Sequence, residues 1–312
     1  MTDTTPTPRT PRPRSCTARL EPERSDVPLG IWPVAQQTAQ RQRAGRYLPE
    51  VAHHPGKMLP ALARRIVAEY CAPDALVADP MCGIGTSLAE AALLGRRAVG
   101  VELEARWALL AEANLDHMLE APARQRVEVR RGDARHLAEV CADLGARVDL
   151  VVTSPPYACD AGMIDKRAWL SGGRLCPADT LNYSTDKANL GHARGRAYEQ
   201  AMAEIYTGCA RLLRPGGHLV VVTKNTRRRG AMLDLAGLTV ALATAAGFSY
   251  LGHVIALHAA IRDGDLVARP SYWQATQVRH ARAKGEPAHL VAHEDVSVFL
   301  LPGTREDPAD AR

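Results

Sequence analysis

Four short apolar runs, each ending in a polar or acidic residue and each followed by a helix-like or irregular stretch, dominate the middle of this chain. They are ALVAD (75–79), AVGVE (98–102), VEVRRGD (127–133) and VDLVVT (148–153). Helical spacing fills the intervals at Thr86–Leu94, Ala105–Leu119 and Ala134–Leu144, and a further helical run covers Tyr198–Leu213. Strands that alternate with helices require crossover connections, so they pair in parallel and are covered on both faces. Pro215-Gly216-Gly217 is expected to turn the chain into a fifth strand, HLVVVT (218–223), followed by a helix around 231–246 and the runs YLGHVIAL (250–257) and VSVFLL (296–301). The expected fold class is α/β, with a doubly wound, mostly parallel, seven-stranded sheet of Rossmann-like type.

The first 28 residues are rich in Pro, Thr and Arg and cannot offset their ordering entropy by burial, so a disordered basic tail is expected there. Residues 302–312 are expected to form a second flexible tail, which leaves one globular unit over 29–301. No run reaches the roughly 18 apolar residues of a membrane span, and the N-terminus has no apolar signal region. A cytoplasmic protein with no membrane partner is the expectation. Seven cysteines lack metal-like spacing, so they are expected as free thiols and no metal is implied.

In an open parallel sheet, ligands bind at the carboxyl ends of the strands, and this is where the chain concentrates its unusual residues. Asp79-Pro80-Met81-Cys82-Gly83-Ile84-Gly85-Thr86 leaves the first strand and opens a helix; two glycines and free helix N–H groups suit a nucleotide-like ligand. Glu102 ends the second strand, where a carboxylate can accept from ribose hydroxyls, and Asp133 ends the third. The fourth strand delivers Ser154-Pro155-Pro156-Tyr157. Two prolines stiffen that loop, so Ser154 and the Pro155 carbonyl can serve as paired acceptors for an amino group, while Tyr157 offers a flat face for a planar base.

These motifs resemble those of the S-adenosylmethionine-dependent amino-methyltransferases that modify exocyclic amines of DNA bases, of N4-cytosine and N6-adenine type. HPGK (54–57) resembles that family's segment before the cofactor loop, DPMCGIGT its cofactor loop, TSPPY its catalytic motif, and HEDVSVF (293–299) its last strand. Met81 stands where the family usually has Phe, and the cofactor loop precedes TSPPY, the reverse of many N4-cytosine enzymes.

The resemblance implies S-adenosylmethionine as cofactor, held by Lys57, Asp79, Pro80, Met81, Cys82, Gly83, Gly85, Thr86, Glu102 and Asp133. It implies a catalytic role for Ser154, Pro155, Pro156 and Tyr157, with the ring of Tyr157 mattering more than its hydroxyl. The target is expected to be N4 of a flipped-out cytosine in double-stranded DNA, with N6 of adenine as the alternative. Methylation of tRNA guanosine N2 is a third possibility, although those enzymes commonly add an N-terminal RNA-binding domain for which 50 residues before HPGK are too few. A restriction nuclease is a possible partner.

A catalytically silent specificity partner is disfavoured because both motifs are intact. A cytosine-5 enzyme is disfavoured because Cys176 precedes Pro177 instead of following a proline. Basic residues near the active edge suit phosphate contacts. They are Lys224, Arg227, Arg228 and Arg229 after the fifth strand, and Lys166 and Arg167 with the aromatics Trp169, Tyr183 and Tyr198 in the segment 158–197. The loops 224–230 and 262–292 are the other candidate recognition segments.

Overall fold

A computed structural model describes residues 28–157, 186, 188–228, 231–269 and 272–303. The expected tails, and the recognition residues Lys166, Arg167, Trp169, Tyr183 and Arg229, lie outside the described residues, as does most of the segment 158–197.

The chain opens with a two-residue strand β1 (Ile31–Trp32) and helices α1 (Ala39–Arg43) and α2 (Pro60–Tyr70). The alternating units then follow: β2 (Leu76–Asp79), α3 (Thr86–Leu93), β3 (Arg97–Glu102), α4 (Ala105–Met118), β4 (Val127–Arg131), the single turn α5 (Leu137–Val140) and β5 (Val148–Thr153). Next come α6 (Arg196–Leu212) and β6 (Leu213–Thr223), a ribbon of β7 (Thr226–Arg228) with β8 (Ala231–Leu233), and α7 (Leu235–Ala245). The chain continues through β9 (Ser249–Leu257), a hairpin of β10 (Ala259–Arg262) and β11 (Asp265–Ala268), α8 (Tyr272–Ala283) and β12 (His293–Leu300).

The main sheet runs β1-β9-β12-β6-β5-β2-β3-β4. All seven expected strands are present, and β1 adds an eighth beside β9. Strands β2 to β6 pair in parallel, while β12 is antiparallel to both neighbours. The order reverses between β2 and β5: from β2 the chain winds outward to β3 and β4, then returns to place β5 and β6 on the other side. At that switch point the crossovers diverge and leave a crevice at the carboxyl ends.

The apolar runs read as continuous because both sheet faces are buried. Successive residues of β6 go to opposite sides: Val220 and Val222 pack with Leu62, Ile66, Leu88 and Leu115, whereas Leu219 and Val221 pack with Met202, Ile205 and Cys209. Each such aliphatic side chain contributes roughly 1.5–3 kcal/mol on full burial. Cys71, Cys82, Cys141 and Cys209 are buried free thiols. Among the described residues no helix is long and apolar enough to cross a membrane.

Three local expectations are corrected. The run 134–144 forms only a 3-10 turn and α5, because Asp133 caps the turn at Arg135 N–H and Asp143 is drawn to Arg130. Pro215-Gly216-Gly217 lies within β6 instead of before it, where it shifts the register against β5. Residues 231–233 pair as β8, and α7 starts only after Asp234, whose carboxylate accepts from Gly237 N–H.

Candidate active site

A cavity of about 1000 Å³ occupies the crevice at the switch point. Its wall includes the cofactor loop, Glu102, Asp133, the Ser154–Tyr157 loop and Lys224, so the two motifs read from sequence face one space. The volume lies at the upper end of ligand-pocket sizes and has room for a nucleoside cofactor beside a second planar ligand.

The glycine loop is packed against His54 and Ala111. Gly83 has φ +53° and Gly85 φ +79°, a backbone that disfavours any side chain. A Cβ at Gly83 would stand 3.2 Å from Nε2 of His54, and one at Gly85 3.3 Å from Cβ of Ala111. His54 packs edge-on against Trp107 at 4.7 Å, so the HPGK segment braces the loop. Burial, then the charge of Lys57, pushes His54 down to about 3, which keeps its ring neutral. Gly85 is the N-cap of α3 without a side-chain cap, which leaves the first N–H groups of that helix to other acceptors.

The carboxylates take distinct positions. Glu102, 8% exposed, accepts from Gly83 N–H through Oε2 and from Glu104 N–H through Oε1, both at 2.9 Å. Burial pushes its carboxyl up to about 7 despite those two bonds. Asp79, 4% exposed, accepts from Met81 N–H at 3.0 Å and from the Ser87 hydroxyl, and burial pushes it up to about 6. Asp133 accepts from Arg135 through its backbone N–H and its guanidinium, a partner that sequence spacing does not single out. Burial would raise the Asp133 carboxyl, but the bonds from Arg135 hold it below its ordinary value. Lys57 donates to the His54 carbonyl; burial and then Arg43 push it down to about 8.

At the opposite wall, Tyr157 donates its hydroxyl to Oε1 of Glu294 at 3.2 Å, and Oε2 of Glu294 lies 3.0 Å from Nε2 of His258. Burial would raise the Glu294 carboxyl, but His258, Lys224 and the Tyr157 hydroxyl together hold it below its ordinary range. The hydroxyl of Tyr157 thus has a carboxylate partner that the sequence alone does not reveal. Asn225 accepts from Leu235 and Ala236 N–H at the start of α7, tying the loop that carries Lys224 to a helix.

Several lining residues were missed. Thr38, Gln40 and Arg43 of the N-terminal segment, Asn189 and His192, and Arg269 with Glu286, Ala288, His289 and Val291 all face the cavity. Part of the expected recognition loop 262–292 thus forms a wall. Tyr198, expected as a recognition aromatic, is 4% exposed and belongs to the core beneath α6. Arg227 and Arg228 lie on β7.

Residues 8–113 match the profile of a family described as DNA methylase, of N6/N4 type. Over that span, well under half of the chain, the sequence is similar to the N6/N4 methylase family. The match contains the cofactor loop and Glu102; Ser154–Tyr157 lie beyond it.

Two curated relatives are tRNA (guanine(10)-N2)-dimethyltransferases. The one from Methanocaldococcus jannaschii is 38% identical over 109 residues, covering 33% of this chain and 30% of the relative. The one from Methanothermobacter thermautotrophicus is 37% identical over 117 residues, covering 37% of this chain and 32% of the relative. The chain thus spans about a third of the length of either.

Similar solved structures include TrmN from Thermus thermophilus, with a TM-score of 0.46 and 20% identity over 82% of this chain and 53% of that one. A geranyl diphosphate methyltransferase in complex with S-adenosylmethionine gives 0.47 and 11% over 78% and 85%.

The methylase family uses S-adenosylmethionine. The cavity wall fits that cofactor: Glu102 is a buried carboxylate facing the cavity, and the glycine loop, tightly set against His54 and Ala111, keeps its backbone free of side chains.

Proposed function

We propose that the protein transfers a methyl group from S-adenosylmethionine to the exocyclic amine of a nucleic-acid base, with N4 of cytosine in DNA as the first target. The observation that carries this reading is the convergence of the glycine loop, Glu102 and Asp133 with Ser154–Tyr157 on one cavity at the switch point. S-adenosylmethionine supplies a methyl group on a sulfonium, already an activated leaving group.

The chain's own task is alignment. Glu102 accepts the ribose hydroxyls, Asp133 turns its remaining lone pairs to the adenine amine, and Asp79 orients the ammonium end. Lys57 adds positive charge beside the glycine loop. Ser154 and the Pro155 carbonyl accept hydrogen bonds from the two N–H groups of the target amine, and one of those protons leaves after methyl transfer, when the methylated nitrogen is strongly acidic. Pro155 and Pro156 fix that loop before the base arrives, so little ordering remains to be done at the moment of reaction. A base within a duplex has to leave the stack to reach this space. Lys224 and the arginines of β7 hold the phosphates beside it.

The second reading is N2 of guanosine in tRNA, favoured by the two relatives, which are tRNA (guanine(10)-N2)-dimethyltransferases. N6 of adenine needs the same two acceptors. Incubation with methyl-labelled S-adenosylmethionine and either unmethylated duplex DNA or a pool of tRNA transcripts separates the classes of acceptor. The proposal expects label in DNA that Ser154→Ala reduces at least tenfold; label in tRNA alone moves the assignment to the second reading. Label in neither refutes both.

A further inference from the structure

Strand β12 begins with three polar residues, His293, Glu294 and Asp295, and then turns mostly apolar. Its register places Asp295 opposite Thr223, the last residue of β6, so Glu294 arrives beside Lys224 at the cavity. A carboxylate taken out of water costs several kcal/mol unless donors surround it. Glu294, whose side chain is 14% exposed, has such donors: the Tyr157 hydroxyl on Oε1 and His258 on Oε2, with the charge of Lys224 nearby. His258 is itself placed by the backbone, its N–H donating to the Ala292 carbonyl and its carbonyl accepting from Arg269 N–H.

The prolines before Tyr157 stiffen the main chain, but they do nothing for the side-chain torsions of the ring. One side of that ring packs on the core cluster beneath α6, and its hydroxyl end meets Glu294. A ring held at both ends has less freedom to lose when a planar base stacks on it, and that saving appears directly in binding and alignment.

We propose that Glu294 is a positioning residue that fixes the ring of Tyr157 for the target base, with His258 holding the Glu294 carboxylate in place. This deepens the methyl-transfer reading and rests on it.

The test uses the full chain in five forms: wild type, Glu294→Gln, Glu294→Ala, Tyr157→Phe, and Tyr157→Phe combined with Glu294→Ala. Labelled methyl transfer to unmethylated duplex DNA and to tRNA transcripts gives kcat/KM, and calorimetry gives cofactor affinity. Glu294→Ala is expected to lower kcat/KM at least tenfold with cofactor affinity within twofold of wild type. Glu294→Gln keeps an acceptor for the hydroxyl and should recover activity to within about threefold. In the Tyr157→Phe background the alanine change should add less than a twofold further loss. Independent, multiplying losses in the double variant, or a glutamine variant as impaired as the alanine one, would overturn the proposal. Glu294→Leu, which fills the space without an acceptor, takes the place of the alanine variant if that fails to fold. If wild type methylates neither nucleic acid, the functional reading fails on its own, and crystal structures still decide the positioning claim. A Tyr157 ring displaced in the acceptor-less variant supports it, and a ring in its wild-type place refutes it.

Discussion

Replacing Glu102 by Gln removes the charge from the cofactor site while keeping its volume. In the wild-type protein burial raises the Glu102 carboxyl from an ordinary 4.5 to about 7. In the proposed site ribose hydroxyls donate to the ionised form, so cofactor binding would be coupled to loss of a proton, and affinity should fall as pH drops below about 7. The limit of that fall is tenfold per pH unit. Asp79, raised to about 6, steepens the fall below that pH. The stability of the unliganded protein runs the other way. A carboxyl raised by folding binds more protons in the folded state between about 4.5 and 7, so its contribution is present at low pH and is lost as pH rises through about 7.

In Glu102→Gln, one of the two backbone donors, Gly83 N–H or Glu104 N–H, must face the amide NH₂, and the cofactor loses a charge-assisted bond. Such a bond is worth roughly 1.5–3 kcal/mol, so affinity at pH 8 should weaken about 10- to 150-fold. Between pH 7.5 and 6.5 the variant's affinity should then be nearly flat. Calorimetric titration with S-adenosylmethionine in two buffers of different ionisation heat reads both affinity and proton release. A folded variant that keeps the wild-type affinity, or the wild-type proton release, would refute the assignment of Glu102 to the ribose.

Tyr157→Ala should lower methyl transfer roughly ten- to a hundredfold while leaving cofactor affinity nearly intact, because base stacking on an aromatic is worth about 1–3 kcal/mol; a parallel loss of cofactor binding and melting temperature would make the ring a core residue instead. Gly83→Ala should cost about 1–2 kcal/mol of stability by chemical denaturation, since its φ of +53° is left-handed and the new methyl meets His54; an unchanged midpoint would contradict the loop geometry. Replacing Lys224, Arg227 and Arg228 by Gln should flatten the salt dependence of duplex affinity by about 0.9 for each phosphate no longer neutralised, without changing which sequence is preferred. A slope that stays put places those residues away from DNA.

The sheet and the cofactor side were legible because their signals are local. Four strands of the parallel half each end at or just before a candidate residue, so Asp79, Glu102, Asp133 and Ser154 could be placed on one edge from strand order alone. The Tyr157–Glu294–His258 contact was not legible, because Tyr157 and Glu294 are 137 residues apart and meet only through the insertion of β12 between β6 and β9. The signal was there in outline: a polar His-Glu-Asp head on an otherwise buried strand. Tyr198 misled for the opposite reason. Arg196, Glu199 and Gln200 beside it are polar, yet helical spacing from Met202 and Ile205 turns it inward. The register shift of β6 against β5 and the short α5 go with tertiary partners, Leu301 for Gly216 and Arg130 for Asp143, that no local pattern announces.

The central claim is that one cavity brings a methyl donor to an exocyclic amine held by Ser154 and Pro155. Mass analysis of nucleosides from unmethylated duplex DNA and tRNA transcripts, each treated with the purified protein and S-adenosylmethionine, tests it most directly. The account predicts one methyl per modified base, on the exocyclic nitrogen, as N4-methylcytosine in DNA; 5-methylcytosine, a methylated ribose, or no modified nucleoside in either acceptor would contradict it.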